Sequence, residues 1–227
     1  MAKGNVEIIE LLGGAKSKQQ KDYFTKQVGQ VHEFYLSGEI ESADNYVEWF
    51  DAIRHAGEND AVNIYINSPG GDLFTEIQFM RVLAETNATT IASVEGACMS
   101  AATMIFLVCE QFEVTPHSMF MFHNYSGGTF GKGGEMIDQL QHERTWSANL
   151  LREVYSNFLE EEEITSMLDN KDLWMDGQSV IDRLNKRNAI LMAQHEAMQK
   201  AAEAESKPKV LQKEAKPVAK KQQKTSK

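Results

Sequence analysis

Val62-Asn63-Ile64-Tyr65-Ile66 alternates between residues that seek a core and residues that tolerate water, the period-two pattern of a strand with one buried face. Asn67-Ser68-Pro69-Gly70-Gly71 ends it as a turn. Asp72 then stands where a helix cap belongs, and Leu73, Ile77, Met80 and Ala84 recur at helical spacing. This predicts a helix over 73–86 with those four residues as its buried stripe. Upstream, Val31 to Leu36 reads as a strand punctuated by Gly38, and Ser42 as the cap of a helix carrying Tyr46, Trp49, Phe50 and Ile53, stopped by Gly57. Downstream, Thr89 to Val94 reads as a short strand, Glu95-Gly96-Ala97 as a turn, and the stretch from Cys98 as the entry to a helix. That helix is apolar on every face as far as Cys109, so it must be buried. Met119 to Phe122 is a further strand. Strand and helix alternate throughout, which predicts an α/β fold: a mainly parallel sheet covered by helices.

One segment does not fit inside such a domain. Between Gly133 and Leu159 a long helical run carries Met136, Ile137, Leu140, Trp146, Leu150, Leu151, Val154, Tyr155 and Phe158. That is more apolar surface than the outer side of a compact domain should expose, and it predicts a protruding helical arm that meets another subunit.

Composition narrows the class. With 227 residues, 42% hydrophobic and 25% charged, the chain has the make-up of one ordinary globular domain with an appendage. No apolar run approaches the ~20 residues needed to span a bilayer, and the opening Met1-Ala2-Lys3-Gly4 lacks a secretory pattern, so a cytoplasmic location is expected. The net charge of −10 conceals a division: Ser206 to Lys227 holds eight lysines and one glutamate, +7, leaving −17 for residues 1–205. An acidic body argues against a nucleic-acid face. The lysine-rich tail has almost nothing to bury and is expected to be disordered. Cys98 and Cys109 lack metal-ligand spacing and sit in apolar surroundings, so neither a disulfide nor a metal site is expected.

Candidate chemistry lies at three places. Ser100 stands at the start of the buried helix, where unpaired N–H groups and the helix dipole stabilise negative charge; taken alone, a serine there reads more readily as an ordinary cap. Ser68-Pro69-Gly70-Gly71 joins a strand to a helix, and its glycines either let backbone N–H groups approach a ligand or satisfy turn geometry. His123 closes a strand beside the loop Asn124-Tyr125-Ser126-Gly127-Gly128, a setting suited to proton transfer. His32, His55, His117, His142 and His195 lack that setting and read as surface or packing residues.

Taken together, Ile64-Tyr65-Ile66-Asn67-Ser68-Pro69-Gly70-Gly71, Gly96-Ala97-Cys98-Met99-Ser100 and Met121-Phe122-His123-Asn124 strongly resemble, in order and spacing, the motifs of the proteolytic subunit of the Clp protease. Phe34 to Ile40 is similar to that family's first strand and turn, and Lys171-Asp172-Leu173-Trp174-Met175 to the segment holding its catalytic aspartate. The resemblance implies a ClpP/crotonase-type fold and a serine endopeptidase, with Ser100 as nucleophile, His123 as general base and Asp172 orienting it. Gly71 and Ala101 would then donate N–H groups to the oxyanion. It also implies protein or peptide substrates, stacked heptameric rings and an AAA+ unfoldase as a possible partner, with no metal, organic cofactor, membrane or nucleic acid. The chain itself has no Gly-x-x-x-x-Gly-Lys-Ser/Thr phosphate loop, so any ATP dependence would belong to that unfoldase. Residues 1–21 would be an axial or flexible N-terminal segment, 22–190 the peptidase domain, and 191–227 a helical then disordered tail. Ser100-Ala101-Ala102-Thr103 and His123-Asn124-Tyr125 depart from the usual cellular pattern, and the first is similar to phage-encoded members. A catalytically inactive ring subunit and a phage head-maturation protease of the same fold are the alternatives.

Overall fold

A computed structural model describes residues 29–206. Six strands form one sheet: β1 (Val31–Ser37), β2 (Ala61–Ser68), β3 (Thr89–Met99), β4 (Gln111–Val114), β5 (Met119–Phe122) and β6 (Leu173–Asp176). Six helices accompany them: α1 (Val47–His55), α2 (Leu73–Glu85), α3 (Ala101–Val108), α4 (Gly133–Tyr155), α5 (Glu161–Leu168) and α6 (Gly177–Ser206). The predicted α/β class is the class observed. Strand order is β1-β2-β3-β5-β6 with β4 also on β3, and every pairing is parallel except β5 with β6.

β3 is the hub, and it is longer than the sequence pattern suggests. The predicted turn at Glu95-Gly96-Ala97 is part of the strand, which runs unbroken to Met99. Its register against β2 jumps there, Ile66 facing Val94 but Ser68 facing Cys98, so two extra residues bulge out. The Asn67 side chain fills the bulge, its Oδ1 accepting from Ala97 N–H at 3.0 Å. A Cβ on Gly96 would lie 2.7 Å from that oxygen. Glycine here marks a bulge rather than a turn. Because β3 extends past the bulge, its first half pairs with β4 and its second half with β5, which brings β5 beside the end of β3.

The buried apolar residues of β1 to β3 alternate and mark the helix-covered sheet face (Phe34, Leu36, Val62, Ile64, Ile66, Ala92, Val94), while Asn63 is a buried polar residue on the other face. On the other face Tyr35 and Tyr65 stack at 4.7 Å, and Tyr65 Oη donates to Glu33 at 3.1 Å. The two-residue alternation of β2 already carries this asymmetry.

The buried stripe of α2 also differs from its expected place. Thr75, Glu76, Phe79, Val82 and Leu83 are buried, Leu73, Ile77 and Met80 are half-buried and Ala84 is exposed. The helix is rotated by about one position because Phe79 enters an aromatic cluster with Tyr46, Trp49 and Phe50. Rotation carries the carboxyl group of Glu76 into the core.

The arm is half arm and half core. Leu151, Tyr155, Phe158 and Leu159 are buried in the domain, Tyr155 against Phe122 at 5.5 Å. Ile137 and Leu140, in contrast, are 58% and 46% exposed. The apolar count over 133–159 therefore overstates the interface: its C-terminal half is satisfied within the chain. α6 is anchored by Val180 and Leu184 and by a two-pronged Arg183–Glu163 pair at 2.6 and 2.8 Å, and it continues without a break across residue 190. Residues 1–21 and the tail after Ser206 lie outside the described residues. No helix among the described residues is long and apolar enough to cross a membrane.

Candidate active site

Ser100 sits at the junction of β3 and α3 with φ 53° and ψ −130°, one of two non-glycine residues with positive φ among those described. Such a conformation costs on the order of 1–3 kcal/mol, so the surroundings must impose it. Its N–H donates to Met121 O at 2.8 Å, continuing the β3–β5 pairing past the end of the strand. Its carbonyl accepts from Thr103 N–H at 2.9 Å and from Thr103 Oγ1 at 2.7 Å. The Thr103 hydroxyl proton is thereby used, so the 2.6 Å contact with Tyr155 is donated by the tyrosine. Burial pushes the Tyr155 hydroxyl well above the ordinary phenol range, which keeps that proton in place. Thr103 stands out in the sequence as the polar residue of an otherwise apolar helix. Its partner Tyr155 lies 52 residues away, and no local pattern links the two.

The Ser68–Gly71 turn closes over the serine. A Cβ on Gly70, whose φ is 96°, would come within 2.5 Å of Ser100 Cβ, and one on Gly71 within 2.1 Å of Ile40 O. Only glycine lets these two segments approach so closely. Gly71 is held by a bridge to Ile40, with Ile40 N–H donating to Gly70 O and Asp72 N–H to Ile40 O, each at 2.8 Å. Asp72 caps α2 as expected, its Oδ1 accepting from Thr75 N–H at 2.7 Å.

His123 follows β5, and the pairing that sets β5 beside β3 carries its ring to the serine. Nε2 lies 2.5 Å from Ser100 Oγ. Together with Gly71, Ala101, Met104, Leu150 and Leu151 the pair lines a small cavity of about 60 Å³. Four of the five residues named from the sequence, Ser100, His123, Gly71 and Ala101, therefore meet in one cleft.

Asp172 is placed differently. β6 pairs antiparallel with β5, Phe122 opposite Leu173, so one step further along that register His123 and Asp172 are opposite each other. The Asp172 side chain is nevertheless exposed, and no hydrogen bond joins it to His123. It lines a separate cavity with Glu162, Glu163 and Ser166. What does tie the histidine loop to this segment is Asn124, whose Nδ2 donates to Asn170 Oδ1 at 3.1 Å and to Leu168 O at 3.3 Å. In the sequence Asn124 stands beside His123 in the histidine motif and its loop, with nothing to show that it reaches Asn170.

No cluster of His, Cys, Asp or Glu among the described residues is arranged to hold a metal ion. Cys98 and Cys109 are both buried as free thiols, and burial pushes Cys109 up to about 12, which leaves it protonated and inert.

An α/β sheet that presents a serine and an imidazole in contact at a strand-to-helix junction has the architecture of a serine hydrolase. The chain belongs to the Clp protease family, whose model, described as Clp protease, matches residues 17–204. No match is found among curated proteins. The fold and the family together make it a Clp-type peptidase.

Proposed function

We propose that this protein is a serine endopeptidase that cleaves unfolded polypeptides through Ser100, His123 and Asp172, inside a chamber built from copies of itself. The 2.5 Å contact between His123 Nε2 and Ser100 Oγ carries this reading. A serine hydroxyl is a weak nucleophile until a neighbouring base takes its proton, and the contact is within reach for that transfer. As Oγ bonds to the peptide carbonyl carbon, His123 accepts the proton and the carbonyl electrons pass to oxygen. That oxyanion would accept hydrogen bonds from the N–H groups of Gly71 and Ala101, which border the same cavity. The imidazolium returns its proton to the leaving amine, and water then releases the acyl group by the same steps reversed. Asp172 would fix the imidazole tautomer once its side chain turns to the face it shares with His123.

A fluorophosphonate probe tests the nucleophile directly. The full-length protein should label at Ser100, and Ser100→Ala should lose both labelling and peptide cleavage. A Ser100→Ala protein that cleaves at the parental rate ends the proposal.

Assembly is the second part of the reading. Clp-type peptidases work as rings, and the N-terminal half of α4 extends from the body with Ile137 and Leu140 facing solvent. These two apolar residues support a contact with a second copy. Ile137→Asp with Leu140→Asp should yield smaller particles of low activity whose subunits keep their fold by far-UV circular dichroism, because both side chains are exposed on the single chain. Analytical ultracentrifugation reads the outcome. A fully active monomer at micromolar concentration would remove the ring from the proposal. ATP dependence would enter through a separate unfoldase; cytoplasmic placement is an expectation from the sequence composition, and phage origin one from the sequence resemblance.

A further inference from the structure

A second and much larger cavity, about 720 Å³, opens beside the cleft and shares Gly71, Leu73, Tyr125 and Ser126 with it. Its far wall is made by Asp72 and Phe74 at the start of α2 and by Gln139, His142, Glu143 and Trp146 on α4. Phe74 is 72% exposed, unusual for a phenylalanine, and stacks on Trp146 with ring centroids 5.9 Å apart and planes 25° apart. Trp146 is half-buried, so the exposed Phe74 ring resting on it forms a flat apolar shelf beside the cleft.

The charge around that shelf is one-sided. Asp72 and Glu143 both line the cavity, the lining contains no lysine or arginine, and neither carboxylate forms an ion pair among the described residues. Asp72 is occupied in part by the α2 cap. Glu143 is held in position by a chain of hydrogen bonds, Thr129 Oγ1 to Gln139 Oε1 at 2.5 Å and Gln139 Nε2 to Glu143 Oε1 at 2.7 Å. The same chain secures the glycine-rich loop to α4. A carboxylate fixed beside an aromatic face suits a cation on an apolar stem, which places its methylenes on the ring and its charge at the acid.

We propose that this cavity is a side-chain subsite of the peptidase and that it selects arginine or lysine at a substrate position near the scissile bond. The small apolar cavity at Ser100 would hold the residue whose carbonyl is attacked, so the basic residue would occupy a neighbouring position. This inference rests on the reading of Ser100 as nucleophile.

The test is a positional-scanning library of fluorogenic peptides, run with the full-length assembled protein at pH 7 and low salt, with fluorophosphonate labelling of each preparation. At one position near the cleaved bond, arginine or lysine should raise kcat/KM about tenfold over norleucine or glutamine. Glu143→Gln should reduce that ratio to about twofold or less, Trp146→Leu should lower it as well, and added salt should weaken it in the parent. Loss of the preference in Glu143→Gln, with Ser100 labelling retained, identifies the subsite. Labelled protein that shows no basic preference, or a preference that survives Glu143→Gln, overturns the subsite and leaves the nucleophile standing. Absence of labelling in the parent overturns both.

Discussion

Replacing His123 by alanine should lower kcat for peptide cleavage by about 10³-fold or more, and the loss should hardly deepen when Ser100→Ala is added. Groups that act as one unit are non-additive: once proton transfer fails, the serine contributes little. Asp172→Asn is the more informative partner experiment. If Asp172 orients the imidazole, the substitution keeps the shape and removes the charge, and should cost on the order of 10²–10⁴-fold. A change of less than threefold would show that Ser100 and His123 work as a pair. The exposed position of Asp172 makes this a real choice, because its backbone sits opposite His123 while its side chain points to another cavity. Steady-state kinetics on one peptide, with sedimentation to confirm assembly, reads all three variants.

Glu76→Gln should stabilise the protein strongly in alkaline solution and hardly at all near pH 5. Glu76 is fully buried, and neither carboxyl oxygen has a hydrogen-bond partner. Burial raises its pKa from the ordinary 4.5 to about 8, because charging it in the core has no compensation. The native state therefore holds a proton that the unfolded state releases above about pH 4.5. Stability falls as pH climbs from there, and the fall is complete only beyond about pH 8. One pKa unit corresponds to about 1.4 kcal/mol, so the whole loss is on the order of 5 kcal/mol. Glutamine keeps the volume and cannot ionise. Its melting temperature should match the parent at pH 5 and exceed it by several degrees at pH 8, measured by calorimetry across that range. Parallel melting curves would show that Glu76 is hydrated or paired in solution.

Glu76 also marks a boundary of what a single sequence reveals. A glutamate within a helix reads as a solvent-facing residue, and the stripe Leu73, Ile77, Met80 and Ala84 gave no reason to think otherwise. The rotation of α2 is set by Phe79, which packs on aromatic residues from another helix. Helical periodicity defines a face only to within about one residue when apolar side chains lie on both sides of it, as Phe74, Ile77 and Phe79 do. The same limit affects α4: Tyr155 and Phe158 look like interface residues because periodicity counts apolar positions and does not say which surface covers them.

The residue chemistry itself was legible. The glycines of the turn after β2, a cap at Asp72, a helix after Ser100 that is apolar but for Thr103 and a histidine closing a strand are local properties, and the motifs that carry the family resemblance are built from them. Alternation of strand and helix sufficed for the α/β class for the same reason, since hydrophobic period depends on neighbours in the chain. What tertiary structure alone decided is distance. Ser100 and His123 meet because β3 runs through a bulge that Asn67 fills and so reaches β5, a pairing between segments whose register no single strand encodes. The Tyr155–Thr103–Ser100 chain, the shelf of Phe74 and Trp146 and the outward turn of Asp172 are likewise contacts between distant segments. Their energies depend on which groups are removed from water together, and that is a property of the folded assembly of elements, not of any element's own sequence.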